Sequence, residues 1–310
     1  MVSVNKITAT ATATILQQLA PTGVLRAAVN LSNPLLIEQQ SLSSSSLSSS
    51  LPQNLDIITG LSPSFAAAIA NRLNVPLKLV PYEHPDTICT AAEEWQQSRI
   101  NNSIKQKQQQ NQPWDITLIA ADSDRELQGI DFTSAYCEIQ ATCMVPTSSC
   151  IYNFDDVNQE GVRLSTKGGG AYDLWVTRNW NNPTIGRSRT LEESYLAYIN
   201  DNDNDANNAD ANNDERKALA GLRPRLVEDL KRDKEGRHRL LEGSFMSVEQ
   251  AIGCMKVVND NNDNDGILSP GHEFLYKFVE ESRAPGGLIE ELIQKHGMIG
   301  RLSVPSSVGP

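Results

Sequence analysis

Residues 114–146 read WDITLIAADSDRELQGIDFTSAYCEIQATCMVP, and this stretch decides how the rest of the chain is interpreted. After Trp114 and Asp115, the apolar run 116–120 has the length of a buried strand. A polar turn with a single arginine, Arg125, follows it, and an aromatic-bearing loop is expected over 130–136. The β-rich run 137–145 predicts a long strand that ends before Pro146. Strand, arginine turn, aromatic loop and long strand form an irregular order, so their coincidence is informative.

The segments before this stretch alternate between strand and helix patterns. Residues 22–30 read as a first strand, followed by a loop that contains Asn33, and 74–82 read as a second strand. Between them, 60–73 predict a helix with Ser62 as its N-cap and Pro63 at its first position. Phe65, Ile69 and Leu73 fall on one face of that helix. Such alternation is typical of βαβ units and a mostly parallel sheet.

The same rhythm continues after Pro146. A glycine turn, Gly168-Gly169-Gly170-Ala171, joins a strand at 161–166 to a helix. Further strands are expected at 183–187 and 218–223, and further helices at 191–199, 226–234, 273–282 and 287–296. The chain is therefore predicted to be α/β throughout.

The stretch 114–146 resembles the type 2 periplasmic solute-binding proteins. It is most similar to their family 3, which binds polar amino acids. In that family the segment begins with D and a hydrophobic run, continues with D/T-x-x-R, and ends with hydrophobic-D-F-T-x-x-Y. Residues 22–30 likewise resemble the family's opening, G-x-L-R-hydrophobic-A-hydrophobic, and the resemblance covers roughly 20–300. It implies a two-lobed type II α/β fold with mostly parallel sheets and a hinge at the lobe crossovers. It also implies capture of a small solute between the lobes by hinge closure, as in amino acid ABC transporters.

On this resemblance, the domain organisation is expected to interleave two lobes. An N-terminal helix or tail would cover 1–19, lobe 1 would cover 20–137, lobe 2 would cover 138–244, and 245–310 would return to lobe 1. Four low-complexity inserts interrupt the lobes, at 41–54, 98–113, 200–214 and 259–266. Polar tracts of this kind are tolerated in surface loops.

The resemblance also implies which residues bind the solute. Arg125 matches the family's turn arginine, which holds a carboxylate through its planar fork of donors. The glycine turn, with Gly169, Gly170 and Ala171, matches a turn that donates to the same carboxylate. Asn33 and Tyr136 are further candidates for lining the site. The alternative roles are a solvated arginine, a plain turn, and structural side chains.

Two positions depart from the family pattern. Gly170 stands where a hydroxyl residue is common, so one side-chain donor is missing. Arg223 stands near the position of an aspartate that accepts from the ligand's ammonium. An arginine there predicts a solute with a second acidic group, or one without an amine; a surface arginine is the alternative.

Composition narrows the function classes. Eight aspartates lie in the tracts 201–214 and 260–265, so most of the net charge of −11 comes from these tracts. Because no basic cluster is present, we expect neither nucleic acid nor an anionic membrane surface as a partner. No cofactor or metal is expected either, since the histidines are scattered. The first Asp-rich tract has Ala206 and Asn212 in place of the glycine and glutamate of a calcium loop, and the run 261–272 has Gly266 but begins with Asn261 and ends with His272. A membrane transporter is the macromolecular partner that the resemblance allows.

Cysteine usage and the N-terminus bear on the compartment. The five cysteines form no C-x-x-C pair and are expected as buried free thiols. The N-terminus lacks the apolar core of a secretory signal, and no run of apolar residues is long enough to span a membrane. We therefore expect a cytoplasmic protein with no membrane insertion.

Two further functions remain open. One is a prephenate or arogenate dehydratase on the same fold, for which Glu138 is the nearest candidate acid. The other is an intracellular ligand sensor. With no catalytic constellation evident, we favour a binding protein over an enzyme.

Overall fold

The computed structural model describes residues 9–41, 56–101, 112–201, 216–256 and 268–305. Most of the four predicted inserts lie outside the described residues. The chain divides into two compact units. Unit 1 contains Met1–Cys137, Gln250–Gly300 and Val304–Pro310, and unit 2 contains Glu138–Glu249 and Arg301–Ser303.

Unit 1 contains helices on a mostly parallel sheet. Its helices are α1 (Ala9–Leu19), α2 (Leu61–Leu73), α3 (Pro85–Asn101), α4 (Ser123–Leu127), α9 (Pro270–Ser282) and α10 (Leu288–Lys295). Its strands are β1 (Leu25–Asn30), β2 (Glu38–Ser41), β3 (Asp56–Thr59), β4 (Leu77–Tyr82) and β5 (Ile116–Ala120), with the first part of β6 (Ile130–Pro146) and the last part of β11 (Met246–Met255). The chain thus leaves unit 1 within β6 and returns within β11.

The sheet of unit 1 places β1 between two parallel neighbours. β1 pairs in parallel with β4 and with β5, and β11 pairs antiparallel with β5. All five residues of β5 are buried, which confirms the strand predicted from the apolar run 116–120. β2 and β3 form a separate antiparallel pair on either side of the insert at 41–54.

Unit 2 repeats the plan with its own core. Its helices are α5 (Phe154–Val157), α6 (Ala171–Asn179), α7 (Leu191–Asn200) and α8 (Arg223–Leu230), and its strands include β7 (Arg163–Lys167), β8 (Thr184–Ser188), β9 (Lys217–Leu222) and β10 (His238–Leu240). β7 pairs in parallel with β8 and with β9. β6 pairs antiparallel with β9 on one side and with β10 on the other.

The start of α2 differs from the prediction. Gly60, and not Ser62, is the N-cap, with φ 121°, a conformation that side-chain-bearing residues rarely adopt. A Cβ on Gly60 would lie 2.4 Å from the carbonyl oxygen of Leu36. Ser62 is instead a buried residue of the first turn. Phe65 and Ile69 are fully buried, as the helical periodicity predicts, whereas Leu73 in the last turn is only half-buried.

Other predicted segments also change at their boundaries. The loop expected over 130–136 is part of the continuous strand β6, which lies beside β11 in the sheet. Arg223 begins α8 and does not end β9, because Pro224 fits the first turn of a helix. The N-terminal segment is helical over Ala9–Leu19, with Ile15 and Leu19 buried.

No helix among the described residues is long and apolar enough to cross a membrane.

Candidate ligand-binding site

In unit 1, two candidate residues follow strand ends at the same edge of the sheet. Asn33 lies in the loop after β1, and Arg125 lies in α4, directly after β5. Because β1 and β5 are adjacent and parallel, their carboxyl ends meet at one edge. Open α/β sheets bind ligands at this edge.

The guanidinium of Arg125 is held inside unit 1. Asp122 caps the short helix α4 by accepting from the backbone N–H of Asp124 at 3.0 Å. This turn places Arg125 with 2% of its surface exposed. Its Nη1 donates to the backbone carbonyl of Ala120 at 2.6 Å, so the guanidinium lies at the carboxyl end of β5. The structure therefore places a permanently charged group at the expected edge.

Asn33 and Tyr136 are both engaged within unit 1. The Asn33 side chain accepts from the backbone N–H of Leu35 at 3.2 Å and so shapes its own loop. Tyr136 is fully buried, its hydroxyl lies 3.2 Å from Ser62 Oγ, and its ring packs 4.9 Å from that of Phe65. Burial raises the pKa of Tyr136 well above its usual value. These contacts make Tyr136 a core residue.

In unit 2, the remaining candidates also follow strand ends. The glycine turn follows β7, and Arg223 follows β9. β7 and β9 are adjacent and parallel, so both loops again emerge at one edge of the sheet. The arrangement repeats that of β1 and β5 in unit 1.

The glycine turn leads directly into a helix N-terminus. Gly169 has φ 73°, the left-handed region that favours glycine, and Gly170 is the N-cap of α6. Gly168 N donates to the carbonyl of Ser188 at 2.9 Å, which ties the turn to the end of β8. Ala171, the first residue of α6, is buried. Backbone N–H groups and the helix dipole together favour an anion at such a position.

Two residues that the sequence analysis missed organise this turn. The carboxylate of Asp173 accepts from Gly169 N at 3.0 Å and from Arg187 Nε at 2.9 Å. Arg187 also donates from Nη2 to Thr177 Oγ1 at 2.7 Å. An acidic residue three positions after the N-cap is a recognisable helix-start signal. The hydrogen bond from Arg187 to Asp173 could not be foreseen from the sequence, because it depends on the parallel pairing of β8 with β7.

Arg223 does not project as a free cation. Its Nη2 donates to the backbone carbonyls of Leu241, at 3.2 Å, and of Gly243. Its guanidinium thus ties the start of α8 to the segment that follows β10. The positive charge expected at position 223 is present, but two backbone carbonyl oxygens already accept hydrogen bonds from this guanidinium.

Glu138, the candidate acid of the dehydratase alternative, is also engaged. Glu138 accepts from Ser247 Oγ at 2.8 Å, within unit 2. Among the described residues, no three His, Cys, Asp or Glu side chains are grouped so that they could hold a metal ion.

The fold of this chain is similar to that of solved substrate-binding proteins. A candidate ABC transporter binding component from Wolinella succinogenes, solved in complex with lysine, matches with a TM-score of 0.58 and 16% identity, over 89% of this chain and 96% of that one. The fold is that of the type II periplasmic binding proteins. The predicted α/β fold class is thereby confirmed.

Further solved structures support the same fold. An amino acid ABC transporter substrate-binding protein from Streptococcus pneumoniae, bound to L-arginine, matches with a TM-score of 0.58 and 13% identity, over 91% of this chain and 98% of that one. An ancestral amino acid-binding protein described as a precursor of cyclohexadienyl dehydratase matches with a TM-score of 0.57 and 15% identity, over 91% and 98%. Comparisons with models of protein families and with curated protein sequences find no match.

Proposed function

We propose that this chain binds a small carboxylate-bearing solute, an amino acid or a related organic acid, as the substrate-binding component of an amino acid transporter does. The buried guanidinium of Arg125, at the carboxyl end of β5, carries the proposal. A guanidinium stays charged at every relevant pH and binds a carboxylate through two parallel donors. The solved structures of this fold include proteins named as bound to arginine, lysine and glutamine.

In unit 2, the proposed contacts are the backbone groups of the glycine turn, Gly169, Gly170 and Ala171. In unit 1, Asn33 joins Arg125 because its loop emerges at the same edge of the sheet. Tyr136 is left out of these contacts because its buried hydroxyl lies against Ser62.

Arg223 bears on the class of solute. By the resemblance, Arg223 takes the position of an acidic residue that would accept from an ammonium. Its guanidinium, which donates to the backbone carbonyls of Leu241 and Gly243, cannot act as an acceptor. We therefore propose a solute with a second acidic group or without an amine. A dicarboxylate that binds more tightly than lysine or arginine would support this preference.

Four finer points stay predictions. They are membership of the polar amino acid family, a transporter as partner, closure by hinge motion, and an intracellular location. The five free thiols fit a reducing compartment. A decrease in the radius of gyration on addition of solute would support hinge closure.

A thermal-shift screen tests the proposal. Amino acids, dicarboxylates and keto acids would be added to the wild type and to Arg125→Lys, which keeps the charge but loses the planar fork. A solute at 100 times its dissociation constant adds about 2.7 kcal/mol, which corresponds to about 5–10 °C in melting temperature. We expect one class to give this shift in the wild type and a much smaller one in Arg125→Lys.

The matched control is Arg72→Lys, because Arg72 is exposed in the same unit and pairs with Glu281 on the surface. It should retain the full shift. A folded wild type that responds to none of these compounds would contradict the proposed function.

One observation favours a second candidate, a dehydratase. The ancestral protein of similar fold is described as a precursor of cyclohexadienyl dehydratase. Glu138 would be the acid, although its carboxylate already accepts from Ser247. Turnover of prephenate that is lost in Glu138→Gln would establish this reaction, whereas binding without turnover supports the solute-binding function.

A further inference from the structure

A buried hydroxyl beside the glycine turn has no hydrogen-bond partner in the part of the chain that the structure describes. Tyr172 is the second residue of α6 and is 4% exposed. Its hydroxyl is buried and finds no hydrogen-bond partner among the described residues. Buried polar groups are nearly always paired, because an unpaired one has lost its water without gaining a partner. The Tyr172 hydroxyl therefore has unused hydrogen-bonding capacity beside the glycine turn.

The position of the ring connects this hydroxyl to the turn. A Cβ added at Gly170 would lie 3.1 Å from Cε1 of Tyr172 and 3.3 Å from Cζ, the atom that carries the hydroxyl. The Tyr172 ring therefore fills the space that a side chain at position 170 would need. Its hydroxyl lies close to the N-cap of α6.

The surroundings favour an anionic acceptor. The first hydrogen bond within α6 runs from Leu174 N to the carbonyl of Gly170 at 3.0 Å. The backbone N–H groups of Gly170 and Ala171 therefore lie outside the intrahelical hydrogen-bond pattern. The positive end of the helix dipole adds to their attraction for negative charge. Asp173, whose carboxylate accepts from Gly169 N in this turn, is already paired with Arg187.

The protonation state of Tyr172 suits a donor. Burial raises the pKa of its hydroxyl, Asp173 acts in the same direction, and Arg225 opposes them. The hydroxyl therefore keeps its proton throughout the physiological range. A neutral phenol can donate to a carboxylate oxygen.

We propose that Tyr172 is a solute-binding residue whose hydroxyl donates to a carboxylate oxygen of the solute at the glycine turn. This inference rests on the proposed function and adds to it a side-chain donor from α6. It also accounts for glycine at position 170, since a larger residue would displace the Tyr172 ring.

The test separates affinity from stability in Tyr172→Phe, which removes only the hydroxyl. Calorimetric titrations with succinate, 2-oxoglutarate, L-glutamate and L-lysine would give the dissociation constants, and urea denaturation would give the midpoint. We expect about tenfold weaker binding for the solute that the wild type binds. The midpoint should stay the same or rise, because the variant no longer buries an unpaired polar atom.

The matched control is Tyr152→Phe in the same unit, because Tyr152 is 72% exposed. It should change neither quantity. Unchanged affinity in Tyr172→Phe, with a wild type that binds, overturns the role of Tyr172 alone. A lowered midpoint also overturns it, since the hydroxyl would then have a partner in the protein. A wild type that binds none of the four solutes overturns this proposal together with the binding function for them.

Discussion

The carboxylate of Asp115 accepts two parallel hydrogen bonds from the guanidinium of Arg26, from Nε at 3.0 Å and from Nη2 at 2.6 Å. Arg26 lies on β1, and Asp115 directly precedes β5. The Asp115 side chain is fully buried, and that of Arg26 is 14% exposed. Asp115 also accepts from the backbone N–H of Arg26 at 2.7 Å. The pair therefore joins the two strands whose carboxyl ends carry Asn33 and Arg125.

Removal of Asp115 should strongly destabilise unit 1. Asp115→Ala leaves the Arg26 guanidinium without its carboxylate, and breaking a buried ion pair costs about 3–5 kcal/mol. The free energy of unfolding from urea titration measures this. Glu281→Ala is the matched control, because Glu281 is 60% exposed where it pairs with Arg72, and such surface pairs contribute about 0–1 kcal/mol. Similar losses in the two variants would contradict the role assigned to Asp115.

Cys150 should be the one fast-reacting thiol of the native protein. The expectation of buried cysteines was wrong for Cys150, which is exposed, while Cys89, Cys137, Cys143 and Cys254 are buried. Burial raises the pKa of Cys89 to about 11 and that of Cys254 to about 12, and the thiolate is the reactive form. With a chromogenic disulfide reagent, one thiol should react before denaturation and all five afterwards. Cys150→Ser should remove the fast phase, and a fast phase that persists would disprove the assignment.

His296 should make the stability of unit 1 depend on pH. Its Nε2 lies 2.9 Å from Ser64 Oγ on α2. Burial lowers its pKa, Lys295 adds to this effect, and Glu38 opposes it. A histidine with a depressed folded pKa contributes stability above its unfolded pKa, about 6.5, and this contribution is lost as the pH falls through the folded value.

The measurement is the free energy of unfolding between pH 8 and pH 5 for the wild type and His296→Gln. The wild type should lose more stability than the variant below about pH 6.5. Parallel curves for the two proteins would show that His296 does not carry this dependence.

Much of the fold could be predicted because the signals are local. The apolar run of β5, the stripe of Phe65 and Ile69 on α2, and the glycines before α6 each act within a few residues. Prediction was weaker at element ends. Gly60 displaced Ser62 as the N-cap because the approach of Leu36, which is remote in sequence, selects glycine.

By itself, the sequence determined the α/β class, the order of strands and helices, and the position of Arg125 directly after a buried strand. These follow from periodicity and turn chemistry, which the chain carries locally. Only the tertiary structure decided that Arg187 pairs with Asp173, that the Tyr172 ring lies against Gly170, and that backbone carbonyls accept from Arg223. Strand register and side-chain packing set these contacts, and both depend on which segments become neighbours after folding.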